Sequence, residues 1–483
     1  MQWDSSGRRV SRRSILRGTT AFAATSLLPS VIDRYSFALD AGAPVQANVI
    51  VGSGNAGVIP ADFCGLSYEK SLLEIPFFTR QNQRAVGLFK RLGMGSLRLG
   101  GNSVDKTQWA PNGHGQTQGE VAPPDVDALA SFLNATGWST LYGVNLATSN
   151  PALAAAEVAY AAKALGNKLA GVEIGNEPDG YAGNYFAAGW DPAAQTARWQ
   201  QFADAILQQT PNVALTGPGI GTLKNVNSWT ASFVAASSQV KQLKQLTQHY
   251  YRADGHSPAS TMDLLLSPDP ALTTALKQLQ ALSKQHGLQF RFTEANSFYN
   301  GGRPGVSNAC GSALWALDFL FQLAQGGACG VNFQDGGNFT RGYTVISHRD
   351  ADIYGPQPEY YGLLLFTLAG MGTLRPVSIS AGTVNATAYA VENNGGTLNI
   401  VLINKDTNQN LKAEINAGRK IGKSTAMLLT MPSLMSTEGI SIQGATVGKD
   451  GSFSTKSPSI LSSSGATTSI VVNAGSAALI QIT

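Results

Sequence analysis

Eight short apolar runs recur along the chain, at 63–68, 96–101, 139–147, 169–178, 214–219, 246–251, 290–297 and 330–335. Each is read as an apolar run rather than as the polar alternation of a half-solvated sheet. Such runs suit parallel strands covered on both faces. The segments between them carry helical patterns: 153–165 is Ala-rich with apolar residues at helical spacing, 195–208 is amphipathic, and 312–325 is strongly apolar. Eight strand–helix units predict an α/β fold, a (β/α)8 TIM barrel over 58–372 with some long loops. A doubly wound open sheet is the alternative. It is weakened because no Gly-rich phosphate turn follows the first strand.

Beyond residue 373 the pattern changes. Short β-type runs at 377–379, 386–391, 397–404, 411–415, 424–430, 469–472 and 477–482 are separated by turns such as Asn393-Asn394-Gly395-Gly396. This predicts a C-terminal antiparallel β-sandwich domain. The early run 46–52 precedes the barrel and is expected to pair into that sheet, so 44–57 and 373–483 form the second domain.

Ser11-Arg12-Arg13-Ser14-Ile15-Leu16-Arg17 precedes a weakly apolar stretch, 19–32. This matches a twin-arginine export signal within 1–43, with an ambiguous cleavage point, and predicts a periplasmic or secreted protein. Residues 1–34 hold six Arg and two Asp, a charge of +4, equal to that of the whole chain. The remainder is near neutral, so net charge supports no nucleic-acid surface. No later apolar run reaches the roughly 20 residues of a membrane span. The three cysteines (Cys64, Cys310, Cys329) give no disulfide framework. Cys64 and Cys329 flank strands that would be neighbours, so one bridge stays open beside the reading of buried thiols. No Cys or His cluster has metal-ligand spacing, so neither metal nor cofactor is expected.

Two glutamates carry the chemistry. Glu177 ends the fourth run, in Asn176-Glu177-Pro178, and Glu294 ends the seventh, in Phe292-Thr293-Glu294-Ala295-Asn296. In a barrel, side chains at strand C-termini face the active site, and strands four and seven lie across its mouth. Two carboxyl groups facing each other about 5–5.5 Å apart are what double displacement at a glycosidic bond requires. Glu173, four residues earlier, reads as a buried structural carboxylate. Asn176 is placed to bond a sugar 2-hydroxyl. In Gln248-His249-Tyr250-Tyr251, at the end of strand six, a Tyr or His can orient the nucleophile; Tyr250 is the residue assigned to the site.

With these segments the chain resembles glycoside hydrolase family 79, the heparanase and β-glucuronidase family. Leu97-Arg98-Leu99-Gly100-Gly101-Asn102, Gly217-Pro218-Gly219, His249-Tyr250-Tyr251, Glu294-Ala295-Asn296-Ser297-Phe298-Tyr299, Gly342-Tyr343 and Pro358-Glu359-Tyr360-Tyr361-Gly362 carry the likeness. Asn-Glu-Pro is shared across the wider clan; its combination with Gly342-Tyr343 narrows the resemblance. It implies Glu177 as acid/base and Glu294 as nucleophile. It further implies that Tyr343, with backbone N–H groups around Gly342 and Tyr343, receives the sugar carboxylate. Tyr299 would line the site, and Glu69 and Asn102 would bind ring hydroxyls. Glu69 stands where heparanases carry Asp.

The chain departs from heparanases in charge. After strand three, 148–153 holds no Lys or Arg, and after strand five, 221–225 holds one Lys. Gripping a polysulfate needs many cations. The resemblance therefore implies a monomeric, retaining bacterial exo-β-glucuronidase acting on a saccharide with terminal glucuronic acid. The alternatives are an endo-acting heparanase-like enzyme, a neutral-sugar β-glycosidase of the same clan, and a non-catalytic carbohydrate-binding protein.

Overall fold

The computed structural model describes residues 43–337 and 342–483, so the basic leader of 1–42 lies outside the described residues. Eight parallel strands close into a barrel in chain order: Cys64–Glu69, Ser96–Gly100, Ser139–Val144, Leu169–Ile174, Leu215–Ile220, Leu243–Tyr251, Gln289–Asn296 and Val331–Gln334. The last pairs with the first, Val331 opposite Cys64 and Gln334 opposite Ser67. All eight runs are barrel strands, although Ser96–Gly100 and Gln289–Asn296 alternate Leu or Phe with the buried Arg98, Arg291 and Thr293.

A helix follows every strand: Gln83–Arg91, Pro123–Thr136, Pro151–Leu165, Pro192–Gln209, Ala231–Ser237, Pro270–His286, Gly311–Gln325 and Pro358–Ala369. Three starts show one local device. Asn150, Asp191 and Asp269 cap helices whose first residue is proline, their side chains accepting from the N–H of Leu153 (3.0 Å), Ala194 (2.8 Å) and Ala271 (2.9 Å). Proline brings a preset φ and no orphaned N–H at that position.

The barrel interior is polar in layers, and each layer is hydrogen-bonded. Near the N-terminal end, Arg291 Nε donates to Asn332 Oδ1 (2.7 Å), and Asn332 Nδ2 donates to the Ser96 carbonyl (2.8 Å). Buried charge persists only when paired in this way. The next layer toward the C-terminal mouth holds Arg98 and the site described below.

Two further sheets face each other over a second core. One runs Val377–Ser380, Val45–Val51, Leu411–Asn416, Thr467–Val472, Ser463–Ser464. The larger runs Gly57–Ile59, Gly372–Arg375, Ala386–Glu392, Leu398–Asn404, Ser476–Ile482, Ser424–Thr430, Ser441–Ile442. The N-terminal strand pairs antiparallel with Val377–Ser380 and parallel with Leu411–Asn416. Strand Leu398–Asn404 is buried along its whole length because both faces are covered. Leu398, Ile400 and Leu402 point into the inter-sheet core, while Val401 and Ile403 join the barrel's core. Helix Gly311–Gln325 is apolar nearly all round for the same reason: it is buried between barrel and sheet, with Phe321 stacked on Tyr389 (4.7 Å).

All three cysteines are free thiols, so the bridge left open between Cys64 and Cys329 is not formed. Burial pushes the Cys64 thiol up to about 12.

Candidate active site

The mouth of the barrel gathers one connected cluster around Arg98, on strand two. This side chain is fully buried. Its Nε donates to Glu173 Oε2 (2.6 Å), Nη1 to Glu294 Oε2 (2.7 Å) and Ser67 Oγ (3.2 Å), and Nη2 to Asn176 Oδ1 (2.8 Å). Nη2 also lies 3.3 Å from His249 Nε2. A guanidinium can only donate, so when the ring is neutral His249 Nε2 accepts from it and Nδ1 carries the proton. That nitrogen is 2.9 Å from Glu177 Oε1, so it donates to Glu177.

Glu294, on strand seven, accepts from two sides: Arg98 on Oε2 and the Tyr251 hydroxyl on Oε1 (2.8 Å). Burial alone would raise its carboxyl. His249 and Arg98 outweigh burial and hold it below the usual carboxylate range. Glu173 is likewise held low: Arg98 and a hydrogen bond from Thr293 Oγ1 (2.9 Å) overcome complete burial. Burial pushes His249 down, but the carboxylates of Glu294 and Glu177 lift it above its ordinary range.

Glu177 follows strand four in the left-handed conformation, φ 50° and ψ 53°. A non-glycine residue there is strained by roughly 1–3 kcal/mol, a cost that surrounding structure must hold in place. Its N–H donates to the Gly219 carbonyl (3.0 Å). Asp105 braces the same turn, accepting from the N–H of Asn176 (3.3 Å) and from the Tyr181 hydroxyl. The Glu177 side chain is 34% exposed, whereas that of Glu294 is 9% exposed. One residue is thus open to solvent and one is packed. Donor atoms of Glu177, His249 and Glu294 lie within 4.8 Å of one another. A cation at this trio would have to break the bonds from His249, Arg98 and Tyr251 and sit beside a guanidinium. The donor set suits a carboxylate pair better.

The other expected residues fall in different places. Glu69 caps strand one; its carboxylate accepts from the N–H of Asn102 (3.2 Å) and Ser103 (2.7 Å). Burial, more than the Glu294 charge, raises its carboxyl. Asn102 is exposed. With its oxygen held by Arg98, Asn176 keeps its amide N–H groups without a hydrogen bond to the described residues. Tyr299 is 45% exposed on the loop after strand seven. Tyr343 is buried beside Tyr251, hydroxyls 3.5 Å apart.

Two expectations are corrected. Tyr250 is not in the site: its hydroxyl donates to Asp269 Oδ2 (2.8 Å) and its ring stacks on Phe319 (4.9 Å). Side chains alternate along a strand, so His249 and Tyr251 face inward and Tyr250 faces the helices. The N–H of Tyr343 is not free for a ligand either, because it donates to the Gly301 carbonyl (3.2 Å). The hydroxyl is that residue's available donor. Sequence reasoning passed over Arg98 as a site residue, although a lone arginine inside the apolar run Leu97-Arg98-Leu99 signals a buried counter-charge. It also missed Asp335, which hangs the loop bearing Tyr343 by accepting from the N–H groups of Gly337 (2.9 Å) and Ile346 (2.9 Å).

A closed parallel barrel joined to a β-sandwich, with glutamates at the ends of strands four and seven, is the architecture of the TIM-barrel glycosidases. No family model matches the chain. In sequence it is similar to a β-glucuronidase of Aspergillus niger, 25% identical over 347 residues, covering 64% of this chain and 63% of that protein. A Neurospora crassa β-glucuronidase is 26% identical over 311 residues, covering 56% and 52%. The chain thus matches less than two thirds of the length of these curated relatives. The solved 4-O-α-L-rhamnosyl-β-D-glucuronidase of Fusarium oxysporum superposes with a TM-score of 0.74 at 18% identity, covering 90% of this chain and all of that one. A family 51 α-L-arabinofuranosidase of Bifidobacterium longum gives 0.67 at 15%, covering 92% and all of that chain. These structural likenesses are likenesses of fold. Together with the two sequence matches they agree with the family 79 resemblance drawn from the motifs.

Proposed function

We propose that this chain is a retaining exo-β-glucuronidase. The observation that carries the reading is the pair of carboxylates, with oxygens of Glu177 and Glu294 within 4.8 Å across the barrel mouth. That proximity supports direct attack by a carboxylate, the arrangement of a retaining enzyme. Glu294 attacks the anomeric carbon as Glu177 protonates the departing oxygen, giving a glycosyl ester and a free alcohol. Glu177, now ionised, takes a proton from water; the resulting hydroxide displaces Glu294, and the sugar leaves with its β-configuration. Tyr251 and Arg98 hold Glu294 ionised and aimed, and the free amide N–H of Asn176 donates to the 2-hydroxyl. The Tyr343 hydroxyl, beside the nucleophile, donates to the sugar carboxylate. The similarity to fungal β-glucuronidases and the lack of basic clusters at 148–153 support a terminal glucuronosyl substrate over a sulfated polymer. Export through the twin-arginine leader belongs to the same reading.

Hydrolysis of a panel of aryl β-glycosides tests it. Glucuronide should be cleaved with a kcat/KM at least tenfold above that for glucoside and galacturonide, and proton NMR should show the β-anomer first. Preference for the glucoside would replace the reading with a neutral-sugar glycosidase. An α-anomer first would remove the nucleophile role of Glu294. No turnover on any member would leave a carbohydrate-binding protein.

A further inference from the structure

The proposed mechanism gives no role to Glu173, yet this carboxylate is among the most completely buried groups of the barrel. It never reaches the cleft. Its two oxygens are spent on Arg98 Nε (2.6 Å) and Thr293 Oγ1 (2.9 Å). Thr293 directly precedes Glu294, and Arg98 is shared between the two glutamates, through Nε on one side and Nη1 on the other.

We propose that Glu173 is a positioning residue that sets the basicity of Glu294 through Arg98. It is the second counter-charge on a guanidinium that would otherwise give its whole positive charge to the nucleophile.

The argument is one of charge in a dry place. An anion held by a full, unshared cation at 2.7 Å is a poor nucleophile, because its lone pairs are stabilised in the ground state more than in a transition state where that charge is being lost. A second carboxylate on the same cation lowers its pull on the first. It also fixes the guanidinium plane, so that Nη1 and Nη2 aim at Glu294 and Asn176. Among the described residues, the charged and titratable groups around Glu294 are Arg98 from strand two, His249 and Tyr251 from strand six, and Glu173 and Glu177 from strand four. Glu69 from strand one and Tyr343 from the loop after strand eight complete the set. Only Arg98 is a fixed cation among them. Removing one of its two carboxylate partners shifts its charge onto the other. Glu294 then binds its proton less readily, and its nucleophilicity falls with its basicity.

The inference rests on the assignment of Glu294 as nucleophile. The test is the pH profile of kcat/KM in Glu173→Gln and Glu173→Asp, on whichever aryl glycoside the wild type hydrolyses best. The apparent values belong to the coupled cluster, so the comparison is of its acid limb between variants. Gln keeps the shape and removes the charge. Its acid limb should move to lower pH by about half a unit to one unit, with the plateau falling about 10- to 100-fold. Asp keeps the charge but draws it back from Nε, so its limb should move the same way by less. An acid limb unmoved, or moved upward, in a folded Gln variant overturns the inference, since loss of packing alone would not lower it. If Gln does not fold, the Asp variant decides by the same direction. A wild type inactive on every aryl glycoside sinks the functional reading itself; an active wild type with an unmoved limb sinks this inference alone.

Discussion

At the scale of single residues, Glu177 and Glu294 sit in different surroundings and should fail differently. In the proposed mechanism Glu294→Ala removes the carboxylate that forms the glycosyl ester, so turnover should vanish for every substrate. Glu177→Ala should spare substrates with good leaving groups, which need little protonation, and lose about 10²–10⁴-fold on poor ones. Azide should restore its turnover by attacking the intermediate without a base. A Glu177→Ala enzyme equal to wild type on poor leaving groups would end the acid/base assignment. Glu359 behaves in the opposite sense. It is fully buried, with one oxygen accepting from Asn296 Nδ2 (3.2 Å) and the other without a partner among the described residues. Burial, with a push from Asp335 and against that hydrogen bond, takes its carboxyl up to about 8. The folded protein therefore holds a proton that the unfolded chain releases at an ordinary carboxyl value. This stabilisation is complete below about pH 4.5 and is lost as pH rises toward 8, on the order of 5 kcal/mol in all. Glu359→Gln keeps the neutral shape without that dependence. Its melting temperature relative to wild type should climb between pH 5 and pH 8. A difference that stays flat with pH would show that Glu359 is ionised in the fold.

At the scale of elements, the loop after strand five packs directly against Glu177, the proposed acid/base. A methyl group on Gly221 would lie 2.9 Å from Glu177 Cδ and 3.0 Å from its Oε1. Gly221 has an ordinary backbone conformation, so alanine there strains nothing except that contact. Gly221→Ala should reduce kcat/KM on poor leaving groups by about 10- to 100-fold, through about 1 Å of displacement, and leave the melting temperature close to wild type. Unchanged kinetics would mean that Glu177 has room the packing does not show. The strands themselves were legible in the sequence because burial on both faces leaves runs rich in apolar residues, and a glutamate ending such a run stands out. What each strand-end residue faces was harder to read. Gln248-His249-Tyr250-Tyr251 offers three ring-bearing candidates in a row, and the pairing with strand seven shifts register between Gln248 and His249. A shift of one residue exchanges the two faces, so Tyr251 rather than Tyr250 meets Glu294. The partner of the Tyr343 N–H was not legible for a different reason. It is Gly301, on another loop, and no local pattern announces a contact between two loops.

At the scale of the whole molecule, barrel and sandwich meet at Asp318, midway along helix Gly311–Gln325. Its carboxylate accepts from Lys405 Nζ (2.7 Å), the Tyr389 hydroxyl (2.6 Å) and Thr387 Oγ1 (2.7 Å), all on the larger sheet or its edge. Gln322 Nε2, one helical turn on, donates as well (2.9 Å). Around this polar knot the packing is apolar: Phe321 stacks on Tyr389, and Phe366 packs on Phe321 (4.8 Å). The outward face of the larger sheet, Val401, Ile403, Leu429 and Leu479, belongs to the same core as the barrel helices. The sandwich is therefore part of the barrel's packing rather than an appendage, and the two should unfold together. Asp318→Ala leaves a buried ammonium and two hydroxyls without their acceptor. Breaking a buried pair from one side is destabilising by about 3–5 kcal/mol. The site lies at the strand C-termini and shares no hydrogen bond with Asp318, so kcat/KM at 25 °C should stay within about twofold of wild type. Denaturant unfolding should show one transition in both proteins, with the variant's midpoint lowered. A second transition appearing in the variant would mean that Asp318 alone couples the two cores. An unfolding free energy within about 1 kcal/mol of wild type would mean that Lys405 finds water when its partner is gone, and that the apolar contacts carry the interface by themselves.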